Sequence, residues 1–298
     1  MSANPSPVTG PTPLRDLIAR EGVVKAPGVW DGLSARLAEQ AGFEALCASG
    51  FAVAAALGMP DAEVFTATEG VDAVRRMREA SSLPIIADID TGYGNAINAG
   101  RTAASMRRAG VSAVFMEDQV SPKRCPVCVG DPVEVTPIAE ATGKVRAAKD
   151  GLGDDVLLIA RTDAVGDDAL KRAEAYVGAG ADLIMPVSKT FTGLEEWQRC
   201  HELTGVPLVA SLTAWTWVER EFTDEAMAQA GIKVAMIATH GILAAATAVR
   251  DSFTRLTAGE PLPDVSGRYM AHEDFVQMIG FPEIERRQQQ YLPDPEEL

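Results

Sequence analysis

The chain has 298 residues, 47% of them apolar and 23% charged, which excludes a disordered or collagen-like chain and leaves enough apolar surface for a large core. Its charge of 27 − 42 = −15 excludes a broad basic face for nucleic acid, and an anionic ligand then needs a locally positive site or a metal. No apolar run is long enough to suggest a membrane span.

Residues 1–13, rich in Pro, Ser and Thr, read as a flexible arm without a secretory signal. With only Cys47, Cys125, Cys128 and Cys200, the expectation is a cytoplasmic protein with free thiols. Short apolar runs follow at 23–30, 45–49, 83–89, 113–116, 156–160, 182–186, 207–212 and 234–238. They are continuous rather than alternating, as strands buried on both faces are. Helical segments lie between them at 31–42, 67–80, 96–110, 136–151, 167–180, 193–204, 223–231 and 241–258, several closing on Ala-Gly, as at Ala41-Gly42 and Ala179-Gly180. Eight strand–helix units predict an α/β fold, a (β/α)8 TIM barrel over 14–258. A doubly wound sheet is the alternative, but Val29-Trp30-Asp31-Gly32 is no Gly-rich phosphate fingerprint. Residues 259–298 form a helical extension, punctuated by Pro261, Pro263, Pro293 and Pro295, with an amphipathic pattern over 271–291. Such an extension covers a barrel end or docks on another subunit.

Active sites of such barrels lie at the C-terminal strand ends. There Asp88, Asp90, Glu117 and Asp118 set four carboxylates at adjacent mouths, the two aspartates sharing one side of their strand. Like charges so close need a counter-charge. Mg²⁺ suits them, with Mn²⁺ as an alternative ion, and pairing with Lys123, Arg124 and Arg161 is the plainer reading. The long loop from Glu117 through Lys123-Arg124-Cys125-Pro126-Val127-Cys128 to Gly130 and Pro132 is a lid candidate. Two adjacent cations are expected to favour the Cys125 thiolate, which suits a proton donor or nucleophile. Cys125 and Cys128 could also be half a zinc site or a redox pair, but no second CxxC, clustered His or thioredoxin-like frame accompanies them.

Three motifs together resemble the isocitrate lyase / phosphoenolpyruvate mutase superfamily: Asp88-Ile89-Asp90-Thr91-Gly92-Tyr93-Gly94-Asn95, Glu117-Asp118-Gln119 with Lys123-Arg124-Cys125, and Ala160-Arg161-Thr162-Asp163-Ala164. Ser49-Gly50 and Gly58-Met59-Pro60-Asp61 match as well, so the likeness runs from about residue 27 to about residue 250. The nearest branches are 2-methylisocitrate lyase, the dialkylmalate lyases and carboxyphosphoenolpyruvate mutase. The resemblance implies a barrel whose last helix is exchanged between subunits, in a homotetramer built as a dimer of dimers. It implies Mg²⁺ near Asp88, with Asp90 and Glu117 as the other metal residues and Asp61 beside them at the substrate. The ligand is a small anionic carboxylate, its keto-acid end held by the Ser49-Gly50 backbone and Arg161, with Trp30, Ser211 and Thr213 as further contacts. Lys123 and Cys125 belong to the gating loop, and in the lyases that cysteine protonates the departing carbanion. The expected reaction is Mg²⁺-dependent C–C cleavage of a 2-hydroxy di- or tricarboxylate. Phosphonopyruvate or carboxyphosphoenolpyruvate chemistry, oxaloacetate decarboxylation and a non-catalytic binding role are the alternatives.

The sequence departs from that pattern in four places. Pro126-Val127-Cys128 replaces Gly-His after the cysteine, Pro186-Val187 replaces Pro-Glu, Ser211 replaces Asn, and Thr239-His240 replaces Leu-Ser. Drift within one reaction is the plain reading. The functional reading has His240 substitute for the lost loop His as a proton partner or bind a distal acidic group, which adds it to the catalytic candidates Cys125, Lys123 and Arg161. Trp215 and Trp217 either wall the site or pack elsewhere, and Phe51 narrows the pocket.

Overall fold

Every one of the apolar runs becomes a strand. The computed structural model describes residues 13–128 and 133–293. The arm at 1–12, the loop tip with Gly130 and Pro132, and the last five residues lie outside the described residues. Strands β1 (Val24–Val29), β2 (Leu46–Ala48), β3 (Ile85–Asp88), β4 (Ala113–Glu117), β5 (Leu157–Thr162), β6 (Leu183–Pro186), β7 (Leu208–Ser211) and β8 (Ile232–Ile237) pair in sequence order into a closed parallel barrel. The helices are α1 (Leu14–Ala19), α2 (Gly32–Gln40), α3 (Gly50–Ala56), α4 (Ala67–Ala80), α5 (Ala96–Ala109), α6 (Ile138–Leu152), α7 (Gly166–Gly178), α8 (Leu194–Thr204), α9 (Trp217–Glu221), α10 (Asp224–Gln229) and α11 (His240–Thr257), then α12 (Leu262–Ser266), α13 (His272–Ile279) and α14 (Phe281–Tyr291). Side-chain caps start several of them: Asp31, Thr66 and Asn95 each form a reciprocal capping box. Four helices have no counterpart in the sequence reading. They are α1, α3, α9 and α12, of 6, 7, 5 and 5 residues, too short for a 3.6-residue period to show. The amphipathic stretch 271–291 is two helices rather than one, because Gly280 takes φ 92° between them.

The two faces of each strand have different neighbours. One set, with Leu46, Ile85, Val114, Leu158, Ile184 and Ala210, packs against the surrounding helices. The alternate set, with Cys47, Ile86, Phe115, Ile159, Met185, Val209 and Met236, fills the barrel interior, and Leu14 and Leu17 of α1 join it. Moving two residues along each strand keeps the inward direction but changes the chemistry: Ile86 leads to Asp88, Phe115 to Glu117, Ile159 to Arg161 and Val209 to Ser211. The pleat thus turns an apolar core into a polar mouth within one residue pair.

A first compact unit ends at Leu243 and a second begins at Ala244, inside α11. Within the second, Val265 and Met278 are buried, while Val249, Phe253, Phe275, Phe281 and Ile284 are exposed. Among the described residues no helix is long and apolar enough to cross a membrane.

Closure of the barrel depends on Gly28 at the β1–β8 seam. A Cβ there would lie 2.0 Å from the Ala238 carbonyl oxygen, a backbone atom that cannot swing aside. Gly28→Ala is expected to cost about 1–3 kcal/mol or more, measured as a lowered urea midpoint. An unchanged midpoint contradicts this packing.

Candidate active site

The C-terminal strand ends surround a cavity of about 70 Å³. Eight of the expected residues line it: Ser49, Asp61, Asp88, Lys123, Cys125, Arg161, Ser211 and Thr213. Phe51, Pro126, Val127, Val187 and Thr239 line it too, so with Ser211 six of the positions that depart from the family pattern or narrow the pocket do face the ligand space. Charge is unevenly spread around the ring. β3, β4 and β5 supply Asp88, Glu117 and Arg161, whereas β6, β7 and β8 supply Met185, Ser211 and Met236.

On the charged side, negative groups outnumber positive ones. The Lys123 Nζ lies 2.9 Å from Asp61 Oδ1, 2.5 Å from Asp90 Oδ1 and 4.0 Å from Glu117 Oε1. Arg161 holds Asp163 through Nε and Nη2, at 2.9 and 2.8 Å, and Glu117 through Nη1 at 2.5 Å. Of its five N–H donors three are therefore engaged, leaving one on each terminal nitrogen for a ligand. Among the described residues, Asp61, Asp88, Asp90, Glu117 and Asp163 face only these two cations. Burial, with Asp90 and Asp61 nearby, pushes Asp88 up to about 7 against the pull of Lys123. Burial works against a charged Lys123, but Asp90, Glu117, Asp88 and Asp61 outweigh it and hold the ammonium well above its ordinary range.

The donor set fits a hard divalent cation. Asp61 Oδ1, Asp90 Oδ1 and both Glu117 oxygens are buried and accept no hydrogen bond, so their only partners are the ion pairs. Among the described residues no group of three or more His, Cys, Asp or Glu converges as a ready metal cage. That is compatible with Mg²⁺, which takes one or two carboxylates and keeps waters.

Local backbone geometry concentrates these groups. β3 ends at Asp88, and Asp90 reaches the same place not by the strand pleat but through a left-handed turn at φ 48°. The turn is held by the Asp90 N–H on Asp88 Oδ1 (3.0 Å), the Tyr93 hydroxyl on Asp90 Oδ2 (2.6 Å) and the Glu117 N–H on the Asp90 carbonyl (2.9 Å). Gly50 is needed beside it, since a Cβ would sit 2.6 Å from Asp88 Oδ2. The expected oxyanion donors are engaged within the protein: Gly50 N–H donates to Asp88 Oδ2 at 3.1 Å, and Ser49 N–H to the Val29 carbonyl at 3.3 Å.

From the loop after β4, Lys123, Cys125, Pro126 and Val127 line the cavity. The base of that loop is a short antiparallel bridge, Gln119 with Val135. Lys123 and Cys125 point inward, and Arg124 between them is exposed. The expected thiolate is therefore corrected: Cys125 is 7% exposed, the Lys123 ammonium is taken up by carboxylates, and burial with Asp61 nearby pushes the thiol up to about 12. It is a protonated thiol at neutral pH.

Glu63 fixes the loop in this place, and sequence reasoning missed it. Its carboxylate accepts from the Ser121 hydroxyl (2.9 Å), the Lys123 N–H (3.1 Å) and the Thr91 hydroxyl (2.7 Å). The residue itself sits at φ 53°, a conformation that costs a non-glycine residue about 1–2 kcal/mol. No local pattern announces it, because its three partners come from two distant loops.

Five expected site residues do not line the cavity: Gly50, Asp90 and Glu117 stand behind it, bonded to the lining residues Asp88, Lys123 and Arg161, and His240 and Trp30 lie elsewhere. His240 begins α11, is 42% exposed and bonds Glu219 Oε1 at 2.8 Å, because the chain turns into the helix one residue after the inward Thr239. Trp30 packs into the core between strands and helices and against Gly241. Trp217 also packs, edge-on to Phe222 with its indole N–H on the Ser188 carbonyl, and Trp215 is 70% exposed. Asp118 faces away from Glu117 and anchors the barrel wall instead. It accepts from Tyr176, Thr162, the Asp163 N–H and Arg172. Cys47 and Cys200 are buried, as expected.

Glu63→Gly separates latch from strain. Glycine relieves the left-handed backbone but loses three hydrogen bonds, so the two effects oppose each other in unfolding stability, while alkylation of Cys125 by iodoacetamide speeds up against the exposed Cys128 as internal reference. Cys125 labelling as slow as in the unsubstituted chain contradicts the latch. The raised thiol predicts, in addition, that Cys125 labelling keeps climbing with pH through 10 without a plateau, since its pKa is about 12. A plateau near neutrality contradicts it.

The model of the family described as phosphoenolpyruvate phosphomutase matches residues 14–257. A 2-methylisocitrate lyase of Aeropyrum pernix is 34% identical over 289 residues, 96% of this chain and 92% of that protein. Two solved structures share the fold. A phosphoenolpyruvate phosphomutase from Streptomyces platensis subsp. rosaceus superposes with a TM-score of 0.86 at 30% identity, covering 94% of this chain and 98% of its own. A phosphonopyruvate hydrolase in complex with oxalate and Mg²⁺ does so with a TM-score of 0.82 at 31% identity and the same coverage. With the family model spanning the whole barrel and a relative of this identity along nearly all of the chain, the protein belongs to the phosphoenolpyruvate mutase/isocitrate lyase superfamily.

Proposed function

We propose that this chain is a Mg²⁺-assisted lyase that cleaves the C2–C3 bond of a 2-hydroxy di- or tricarboxylate, releasing an α-keto acid and a second carboxylate. The observation that carries it is the buried Cys125 side chain lining the same cavity as Arg161, Asp61 and Asp88, with burial holding its thiol pKa up. Breaking C2–C3 leaves the bonding electrons on C3, beside a carboxylate, and that carbanion must gain a proton. A neutral thiol shielded from solvent supplies it as a general acid. The two remaining Arg161 N–H groups hold a substrate carboxylate in one orientation, and Lys123 neutralises Asp61 and Asp90 so that an anion can approach.

Mg²⁺, held by Asp88 with Asp90 and Glu117 in support, would stabilise the negative charge that grows on the keto acid's oxygen. The solved relative carrying oxalate and Mg²⁺ supports that assignment. The hydroxyls of Ser211 and Thr213, bonded to each other at 2.9 Å, stand on the uncharged side with Thr239 and meet the rest of the substrate. His240, turned toward Glu219, has no part in this scheme. The homotetramer implied by the family remains part of the proposal, supported by the exposed apolar side chains of α11, α13 and α14. A reducing, cytoplasmic compartment is proposed from the four free cysteines.

Phosphonate chemistry is the second reading, since the solved relatives include a phosphomutase and a phosphonopyruvate hydrolase. The test is keto-acid release with Mg²⁺ across 2-alkylmalates, methylisocitrate, isocitrate, oxaloacetate and phosphonopyruvate. Release from a 2-hydroxy acid is expected, abolished by EDTA, with Cys125→Ser lowering kcat by about 100-fold or more while KM stays close to its original value. Turnover of phosphonopyruvate alone, indifferent to Cys125→Ser, contradicts the lyase.

A further inference from the structure

We propose that Cys125 and Cys128 form a reversible thiol–disulfide modification site whose oxidant is a hydroperoxide, and that its oxidation withdraws the thiol facing the cavity. Cys128 is the cysteine that the proposed function leaves unused. It is exposed, at the outer side of the loop, whereas Cys125 is buried against the cavity. The Cys128 N–H donates to the Cys125 carbonyl at 3.0 Å, which closes the four residues into a turn. A turn of this kind brings the Cα atoms of its first and last residues within about 7 Å, the span that a disulfide bridges, so the pair needs no rearrangement of the loop as a whole. The two other cysteines are buried, so solvent reaches the pair through Cys128.

Oxidation begins there. The Cys128 sulfur attacks one peroxide oxygen, the O–O bond breaks, and one water leaves, giving the sulfenic acid. The Cys125 sulfur then attacks the Cys128 sulfur, the S–O bond breaks, and a second water leaves. Two thiol protons and two electrons have gone into reducing one peroxide to two waters. A dithiol reductant reverses the change. The loss of activity rests on the proton-donor reading of Cys125, but bond formation does not.

The full chain is treated with graded hydrogen peroxide, and intact mass, peptide map and keto-acid release are read in parallel. The expected result is a mass lower by two hydrogens, a peptide linking Cys125 to Cys128, and release slowed by about tenfold or more, all restored by dithiothreitol. Cys128→Ser should start with ordinary activity, form no linked peptide, and lose activity more slowly. The proposal is overturned if peroxide drives Cys128 to sulfinic acid with no linked peptide, or if Cys128→Ser is inactivated as fast as the original chain. A linked peptide with undiminished release upholds the modification site and overturns the proton-donor reading.

Discussion

Too many carboxylates share one barrel mouth, and most of the site follows from that. Among the described residues, Asp61, Asp88, Asp90, Glu117 and Asp163 meet only the cations Lys123 and Arg161 in a largely buried region. An uncompensated buried charge costs several kcal/mol, so the excess has to be answered. Part of the answer is a weaker acid, since burial pushes Asp88 up to about 7. Under the proposed function, a divalent cation would answer the rest. The arrangement stores little net stability, because each ion pair there is offset by desolvation. Under the proposed function, a small polyanion would bind there only together with a metal.

The loop depends on the same charges. Lys123 is drawn in by Asp61 and Asp90, and its neighbour two positions on, Cys125, is carried in with it. Glu63 ties down the backbone at that point by accepting the Lys123 N–H. One inward residue thus brings a buried thiol to the cavity, where the proposed reaction would need a proton donor. The effect of a nearby lysine on a cysteine depends on where the ammonium points. Here it points at carboxylates, so its usual acidifying influence on the thiol is lost.

The barrel was legible because its signal repeats: a short run buried on both faces, then a helix, eight times. The apolar-to-polar change at each strand end was equally legible, since the pleat fixes direction, and so Asp88, Glu117, Arg161 and Ser211 were found from position alone. What escaped the sequence lies off the strands or depends on direction within a turn. His240 fell at a strand end by position but rotates away as α11 begins, and its neighbour Thr239 faces in. Asp118 differs from Glu117 by one residue and therefore by one face, which makes it a wall anchor for Tyr176 and Arg172 rather than a site acid. Glu63 acts through contacts 28 to 60 residues away along the chain, and no window of sequence contains them. The Cys125 thiol escapes for a similar reason: Lys123 and Arg124 are its neighbours in sequence, but the Lys123 ammonium points at carboxylates and Arg124 is exposed.

The claim on which the rest turns is that the mouth carries a buried negative excess that only a divalent cation converts into an anion site. Calorimetric titration of oxalate, a planar dianion shaped like the reacting half of a keto acid, addresses it without knowledge of the substrate. Binding is predicted with Mg²⁺ present and is predicted to vanish in EDTA. Equal affinity under both conditions would contradict the account, since Arg161 and Lys123 would then hold the anion by themselves.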